Sequence, residues 1–216
     1  MKRAIMAAAL VASAAAPAAA QWAGMPVWNS PKGGTGLGIY ADYSSANAEM
    51  GGGYAYGARA SLGLGTLTVS AGFASWEADS ATENANTFGG TVAFRVMGGS
   101  LLPVAVNILG GVARTGEFGT QTLPKPATTT LVGAVGVSTS LPTPGFSIEP
   151  YASAGIRRYD SEFGDDSNFG WTLGANASFG TLGFHFAYDS ESLGDGVTAG
   201  IIGVGAHVQF RVPLGM

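Results

Sequence analysis

Bulky apolar and small or polar residues alternate with a period of two over most of the chain, which is typical of β-strands whose two faces meet different surroundings. In the stretch TVAFRVM, residues 91–97, Phe94 and Val96 share one face, whereas Arg95 lies on the other. An unpaired charge is costly in an apolar environment, so Arg95 is expected to face a polar space. The predicted strands span 35–43, 53–64, 65–76, 87–97, 103–115, 128–140, 145–158, 168–180, 181–190 and 199–212.

The connections between these strands alternate between long and short along the chain. The long ones are 44–52, 77–86, 116–127, 159–167 and 191–198. In an up-and-down barrel every second connection lies at the same end, and outer-membrane barrels combine long outer loops with short periplasmic turns. The pattern therefore predicts an all-β fold, a closed antiparallel up-and-down transmembrane β-barrel of ten strands, with eight strands as the alternative.

Composition indicates which face of the barrel is outside. Charged residues make up 11% of the chain, whereas about 25% is usual. A soluble barrel would need a more highly charged exterior, so we expect the bulky apolar face to meet lipid and the small, polar face to line the lumen. The polar residues predicted to line the lumen are Arg59, Arg95, Asn107, Glu149, Arg157, Asn176, His185, Asp189, His207, Gln209 and Arg211.

Aromatic residues cluster near the strand ends that lead into the long loops. Aromatic belts form at membrane–water boundaries because the ring is apolar and its polar group stays in water. The predicted belt comprises Tyr40, Tyr43, Tyr54, Tyr56, Trp76, Phe88, Tyr159, Phe169, Trp171 and Tyr188.

The first residues of the chain have the features of an export signal. A basic start at Lys2 and Arg3 precedes a short apolar run and three small residues ending at Ala20. This pattern predicts a signal peptide over 1–20, cleaved after Ala20, and hence export to the cell outer membrane. Residues 21–34 are predicted to be a periplasmic lead-in whose tryptophans touch the membrane interface, and residues 35–216 to form the barrel.

The last predicted strand, GVGAHVQFRV, carries the most specific local pattern. Here the chain resembles the small outer-membrane β-barrels of Gram-negative bacteria, in the opacity-protein and outer-membrane-protein-A-like barrel superfamily. The resemblance implies that Gly205, Val208 and Phe210 form the signal that the barrel-assembly machinery binds. Family members usually end on an aromatic residue, whereas this chain continues to Met216. Members more often have eight strands.

Three functions fit this architecture. The first is a structural or surface-interaction barrel with acidic extracellular loops, and the second is a narrow porin-like channel whose lumen arginines favour anions. The third, a lipid-modifying enzyme, has less support. His185 and His207 face the same way on neighbouring strands, but spacing places no third metal ligand, and the His-x-Ser pattern of lipid A deacylases is absent. We therefore expect no catalytic residue, metal or cofactor.

Most acidic residues fall in the predicted long loops. The segment DSEFGDD, residues 160–166, either binds a divalent cation weakly, bridging to lipopolysaccharide phosphates, or is a solvated surface. No basic patch suits nucleic acid. The expected partners are outer-membrane lipid and lipopolysaccharide, and the expected state is a monomer. The loop acids are Glu49, Glu77, Asp79, Glu83, Glu117, Asp160, Glu162, Asp165, Asp166, Glu191 and Asp195.

Overall fold

The computed structural model describes residues 22–79, 81–99, 102–120 and 124–210. Over these residues the chain forms a closed antiparallel β-barrel of ten strands, which confirms the predicted fold class. The predicted signal peptide, 1–20, and the predicted lumen residue Arg211 lie outside the described residues. The strands are β1 (Thr35–Ala46), β2 (Tyr54–Leu64), β3 (Leu67–Glu77), β4 (Ala85–Gly99), β5 (Leu102–Thr115), β6 (Thr128–Thr139), β7 (Phe146–Ser161), β8 (Gly164–Phe179), β9 (Leu182–Ser192) and β10 (Thr198–Phe210).

Pairing between the first and last strands closes the barrel. β1 pairs with β10 from Leu37↔Phe210 to Ala46↔Ile201, and every other barrel strand pairs with its neighbours in sequence. A short strand, Leu141–Thr143, pairs with the start of β7 and extends the sheet. A closed ring satisfies the backbone N–H and C=O groups without water, which is the condition for a β-structure to lie in hydrocarbon.

The two ends of the barrel differ as the connections predict, apart from one hairpin. Two-residue turns join β2 to β3 and β8 to β9, and longer loops occupy the opposite end. At that long-loop end, however, β7 and β8 pair as far as Ser161↔Gly164, so the predicted loop 159–167 is a projecting hairpin with a two-residue turn. Between Asp160, which still pairs with Thr129 of β6, and Gly170, which pairs with Glu191 of β9, the two strands pair only with each other. The predicted strands ended early because this projecting tip is mostly polar and lacks the apolar alternation.

The bulky residues lie on the outer surface of the barrel. Phe94, Ile108 and Phe184 are 51%, 54% and 60% exposed, respectively, whereas Arg95 and His207 on alternate positions turn inward. A soluble barrel would bury such large apolar side chains in its interior. Among the described residues, no helix has the length and apolar character needed to cross a membrane.

Candidate functional site

The segment Trp22–Gly34 runs through the lumen before β1 begins and is termed the plug. The Ala23 amide donates to Thr87 Oγ1 (3.3 Å), near the start of β4 at the long-loop end. The Lys32 amide donates to Glu149 Oε1 (3.0 Å), near the start of β7 at the short-turn end. The plug therefore crosses the barrel lengthwise, and the prediction that 21–34 is a periplasmic lead-in is wrong for its described residues. Their apolar side chains are buried inside the barrel instead of lying at a membrane interface.

The upper part of the plug packs in an apolar cluster at the long-loop end. Trp22 and Met25 are buried there against Trp76, Ala55 and Ala74 of the barrel wall. The Trp22 indole donates from Nε1 to the carbonyl oxygen of Gly72 (3.2 Å). Loop residues close over the cluster: the Trp76 indole donates to the Gly52 carbonyl (3.0 Å), and Met50 and Phe118 pack against its edge. This end of the lumen is sealed by side chains.

Polar contacts hold the middle and lower parts of the plug. The Val27 amide donates to Asp189 Oδ2 (3.2 Å). Asn29 and Asn107 exchange two amide hydrogen bonds (3.1 and 2.6 Å), and both side chains are buried. Glu149 accepts from Ser30 Oγ (2.8 Å) as well as from the Lys32 amide, and Arg95 donates to the Lys32 carbonyl. Because each partner lies on a different strand, the wall holds the plug from several sides.

A buried ion-pair group, termed the arginine cluster, lies beside the plug. The Arg157 guanidinium donates to both oxygens of Asp189 (2.8 Å each) and to Glu191 Oε2 (2.8 Å). The carboxylates accept further hydrogen bonds from Thr172 (2.6 Å), Tyr159 (2.7 Å) and Asn168 (2.9 Å). Glu191 was predicted to be a loop acid, but β9 carries it into the lumen, where its side chain is 3% exposed. One guanidinium thus faces two carboxylates, and hydrogen bonds from three neutral side chains stabilise the remaining negative charge.

A second group, the histidine cluster, comprises Tyr40, Asp42, Arg59, His185 and His207. Asp42 contacts Arg59 Nε (2.9 Å) and His185 Nε2 (2.5 Å). The two imidazoles approach through their Nδ1 atoms (3.3 Å). The Arg59 guanidinium carbon lies 3.9 Å from the centre of the Tyr40 ring.

The chemistry open to the histidine cluster follows from these contacts. With both rings neutral, His185 donates from Nε2 to Asp42 and accepts at Nδ1 from His207. An aspartate that orients a histidine is one part of a nucleophile-activating arrangement. Among the described residues, however, neither imidazole has a hydroxyl partner, and no group of three or more His, Cys, Asp or Glu is placed to hold a metal.

The structure places the predicted lumen residues on one side of the wall. All ten that are described face the lumen, and they belong mainly to the arginine cluster, the histidine cluster and the contacts with the plug. These residues are Arg59, Arg95, Asn107, Glu149, Arg157, Asn176, His185, Asp189, His207 and Gln209. Asp42, the partner of Arg59, was not among the predicted lumen residues, because it lies in a mostly uncharged strand among Ala, Tyr and Ser.

The predicted aromatic belt needs three corrections. Tyr40 stacks with the histidine cluster, Trp76 packs on the plug, and the Tyr159 hydroxyl donates to Glu191, so all three lie inside the barrel. Each occupies a lumen-facing position of its strand, which proximity to a long loop does not reveal. The remaining residues, Tyr43, Tyr54, Tyr56, Phe88, Phe169, Trp171 and Tyr188, lie on the exterior side.

The three residues of the implied assembly signal are placed differently from one another. Val208 and Phe210 point outward, and Phe210 is exposed. Gly205 faces the lumen, where a Cβ would lie 2.3 Å from His185 Nε2 and 2.5 Å from the Ala41 carbonyl oxygen. Packing against the histidine cluster therefore requires glycine at this position.

Gly205→Ala is expected to lower the free energy of unfolding by about 1–3 kcal/mol, because the added methyl group displaces His185 from Asp42. Urea unfolding of the refolded protein, followed by loss of the heat-modifiable folded band, measures this change. Gly110→Ala is the matched control, since a Cβ at this strand glycine would meet nothing within 4 Å. Equal unfolding midpoints for the two variants would contradict the packing argument.

Beside the lower part of the plug, from Trp28 to Gly34, the lumen contains a cavity of about 770 Å³. Its deep end is formed by Trp28, Tyr40, Arg59 and Tyr151, and its mouth by residues such as Gly180, Thr181 and Phe210. Because Gly180 and Thr181 form a short turn, the cavity opens toward the short-turn end. The lumen is thus filled by side chains at the long-loop end and contains open space at the short-turn end.

No protein-family model and no curated protein matches the sequence. Solved structures of outer-membrane β-barrels do match over most of the chain. The β domain of the Bordetella autotransporter BrkA aligns at 14% identity and a TM-score of 0.46, covering 81% of this chain and 100% of that one. The N-terminal β-barrel domain of Pseudomonas aeruginosa OprF aligns at 10% identity and a TM-score of 0.38, covering 82% of this chain and 99% of that one. Ail of Yersinia pestis aligns at 16% identity and a TM-score of 0.34, covering 82% of this chain and 100% of that one. At these values the likeness assigns no residue a role.

Proposed function

We propose that the protein is an outer-membrane barrel whose lumen is closed by its own N-terminal segment, with a structural or surface-interaction role. The plug carries this proposal. It occupies the lumen along its length and is bonded to Asp189, Asn107 and Glu149 on three different strands. A solute would have to displace these contacts to pass.

The exterior supports the membrane location. Large apolar side chains cover it, including Phe88 at 67% exposed, and lipid is the environment in which such a surface is stable. In the usual orientation the short turns face the periplasm and the long loops face outward. The proposed partners are outer-membrane lipid, lipopolysaccharide and, through the outward Val208 and Phe210, the barrel-assembly machinery. The proposed state is a monomer.

The projecting hairpin of β7 and β8 supports a surface role. Its turn carries Phe163, which is 78% exposed, between acidic strands in which Asp160 lies opposite Asp165. Arg158 pairs with Asp165 on the solvated side of the hairpin. These residues stand beyond the end of the apolar band, where they can meet the cell's surroundings. We propose a solvated contact surface here.

A narrow channel is the second candidate, and the cavity favours it. The lower lumen already contains this open space, but conduction along the whole barrel would require the upper plug to leave. We propose no reaction for the histidine cluster, because neither imidazole has a hydroxyl partner among the described residues.

Single-channel recording in planar bilayers tests the proposal. The refolded full-length protein is expected to insert and give no steady conductance, because the plug and the apolar cluster fill the upper lumen. Insertion is verified by protection of the barrel from added protease. Steady ohmic conductance of the full-length chain would favour the channel and refute the sealed barrel.

A further inference from the structure

The cavity at the short-turn end has the size and shape of a ligand site. Its volume, about 770 Å³, falls within the roughly 300–1,000 Å³ of small-molecule pockets. The plug gives it a floor, because Trp28 and Asn29 line its deep end and are buried. A ligand entering from the short-turn end would therefore meet a closed pocket with one mouth.

The wall of this cavity carries hydroxyl groups that lack protein partners. Six of the serine and threonine residues that line the cavity have hydroxyl groups with no hydrogen-bond partner within the described part of the chain. A hydroxyl offers one donor and two acceptor positions, so this wall leaves many sites for water or for a polar ligand. The hydroxyl residues are Ser61, Thr68, Ser70, Thr91, Ser147 and Ser178.

The charged groups at the cavity are, in contrast, already engaged. Arg59 pairs with Asp42, and Glu149 accepts from Ser30, Lys32 and Asn176. The Lys32 ammonium donates to Ser140 Oγ (2.8 Å) at the mouth. The positive charges of Lys32 and Arg59 are matched in number by the negative charges of Glu149 and Asp42, so the cavity presents no net charge to an ionic ligand.

The remaining wall adds an amide and aromatic surface. Gln209 donates to the Tyr40 hydroxyl (3.1 Å), which leaves its carbonyl oxygen free to accept a hydrogen bond. Tyr151 and Trp28 bring apolar ring surface to the deep end. Sugars combine hydroxyl groups with apolar C–H faces, so they complement a wall of hydroxyls and an amide beside aromatic rings.

We propose that this cavity binds an uncharged saccharide of one or two rings. The unpartnered hydroxyls supply its hydrogen bonds, and the balanced charges of the wall give no preference for an ionic ligand. The inference goes beyond the proposed structural role and depends on it only for the compartment, the periplasm, from which the ligand would come.

Equilibrium dialysis of the refolded full-length protein against labelled maltose and chitobiose tests the site. An amine-oxide detergent is used, because detergents with sugar head groups would compete. At least one probe is expected to bind with a Kd below about 1 mM. Ser70→Phe, which fills the cavity, is expected to weaken that binding at least about tenfold. Val135→Phe on the exposed exterior is the matched control and should leave it unchanged.

A second variant keeps the test decisive if Ser70→Phe does not fold. Gln209→Leu keeps the size of the side chain but removes the amide, and is expected to weaken binding about fivefold. The inference is overturned if neither probe binds with a Kd below about 1 mM, which would mean that the cavity holds water only. It is equally overturned if both cavity variants bind as the wild type does, or if glucose 6-phosphate binds more tightly than either neutral sugar.

Discussion

Arg157→Met is expected to lower the free energy of unfolding by roughly 3–5 kcal/mol, because it removes one partner of a buried ion-pair group. Asp189 and Glu191 would remain in the lumen without the one cation that both carboxylates contact. Methionine fills a similar volume but donates no hydrogen bond. The change is measured as the shift in the urea unfolding curve of the refolded barrel.

The neighbouring arginine supplies a matched control. Arg158 pairs with Asp165, but its side chain is 53% exposed, whereas that of Arg157 is 3% exposed. Exposed pairs contribute about 0–1 kcal/mol, so Arg158→Met should leave the unfolding curve nearly unchanged. Arg157→Lys, which keeps the charge but loses the bidentate geometry, should fall between the two. Equal effects at positions 157 and 158 would refute the role given to the arginine cluster.

Deleting Trp22–Pro31 is expected to convert a silent barrel into a conducting one. The deletion removes the plug from the upper lumen and leaves the ten paired strands intact, so a heat-modifiable folded form should persist. Stability should fall, since each large buried side chain contributes roughly 1.5–3 kcal/mol and Trp22, Met25 and Trp28 are all lost. Steady conductance in planar bilayers is the measurement.

The control for the deletion keeps the plug but weakens one contact. Asn29→Ala removes the exchange with Asn107 and leaves the apolar cluster in place, so this variant should remain silent. A folded deletion variant without conductance would show that side chains of the wall block the lumen by themselves. That result would mean that the plug is not what closes the lumen.

The alternation of bulky and small residues was enough to predict the barrel, because the face of a strand on which a side chain lies depends only on its position in that strand. Phe94 and Arg95 must face opposite sides of any strand, and the scarcity of charge decides which side is outside. The order of strands then follows from short connections between sequential neighbours. The projecting hairpin was missed because its outermost pairs, such as Asp160↔Asp165 and Ser161↔Gly164, have no apolar face.

The contents of the lumen could not be predicted in the same way, because they depend on contacts between distant residues. The small inward residues indicated space for water, but part of that space holds the plug: a Cβ on Gly203 would lie 2.6 Å from Pro26, and one on Gly136 would lie 2.4 Å from Asn29. The sequence does contain one feature that points to the plug. Trp22 and Trp28 are large apolar residues in a segment with no strand pattern, and such residues need a place of burial.

The route of the plug also constrains the order in which the molecule is completed. Strand β1 follows the plug directly, and its pairing with β10 is the seam that joins the two ends of the chain. In a ring already shut, the buried side chains of Trp22, Met25 and Trp28 would have to pass lengthwise between the side chains that line the lumen. We therefore expect the plug to be in position before β10 pairs with β1.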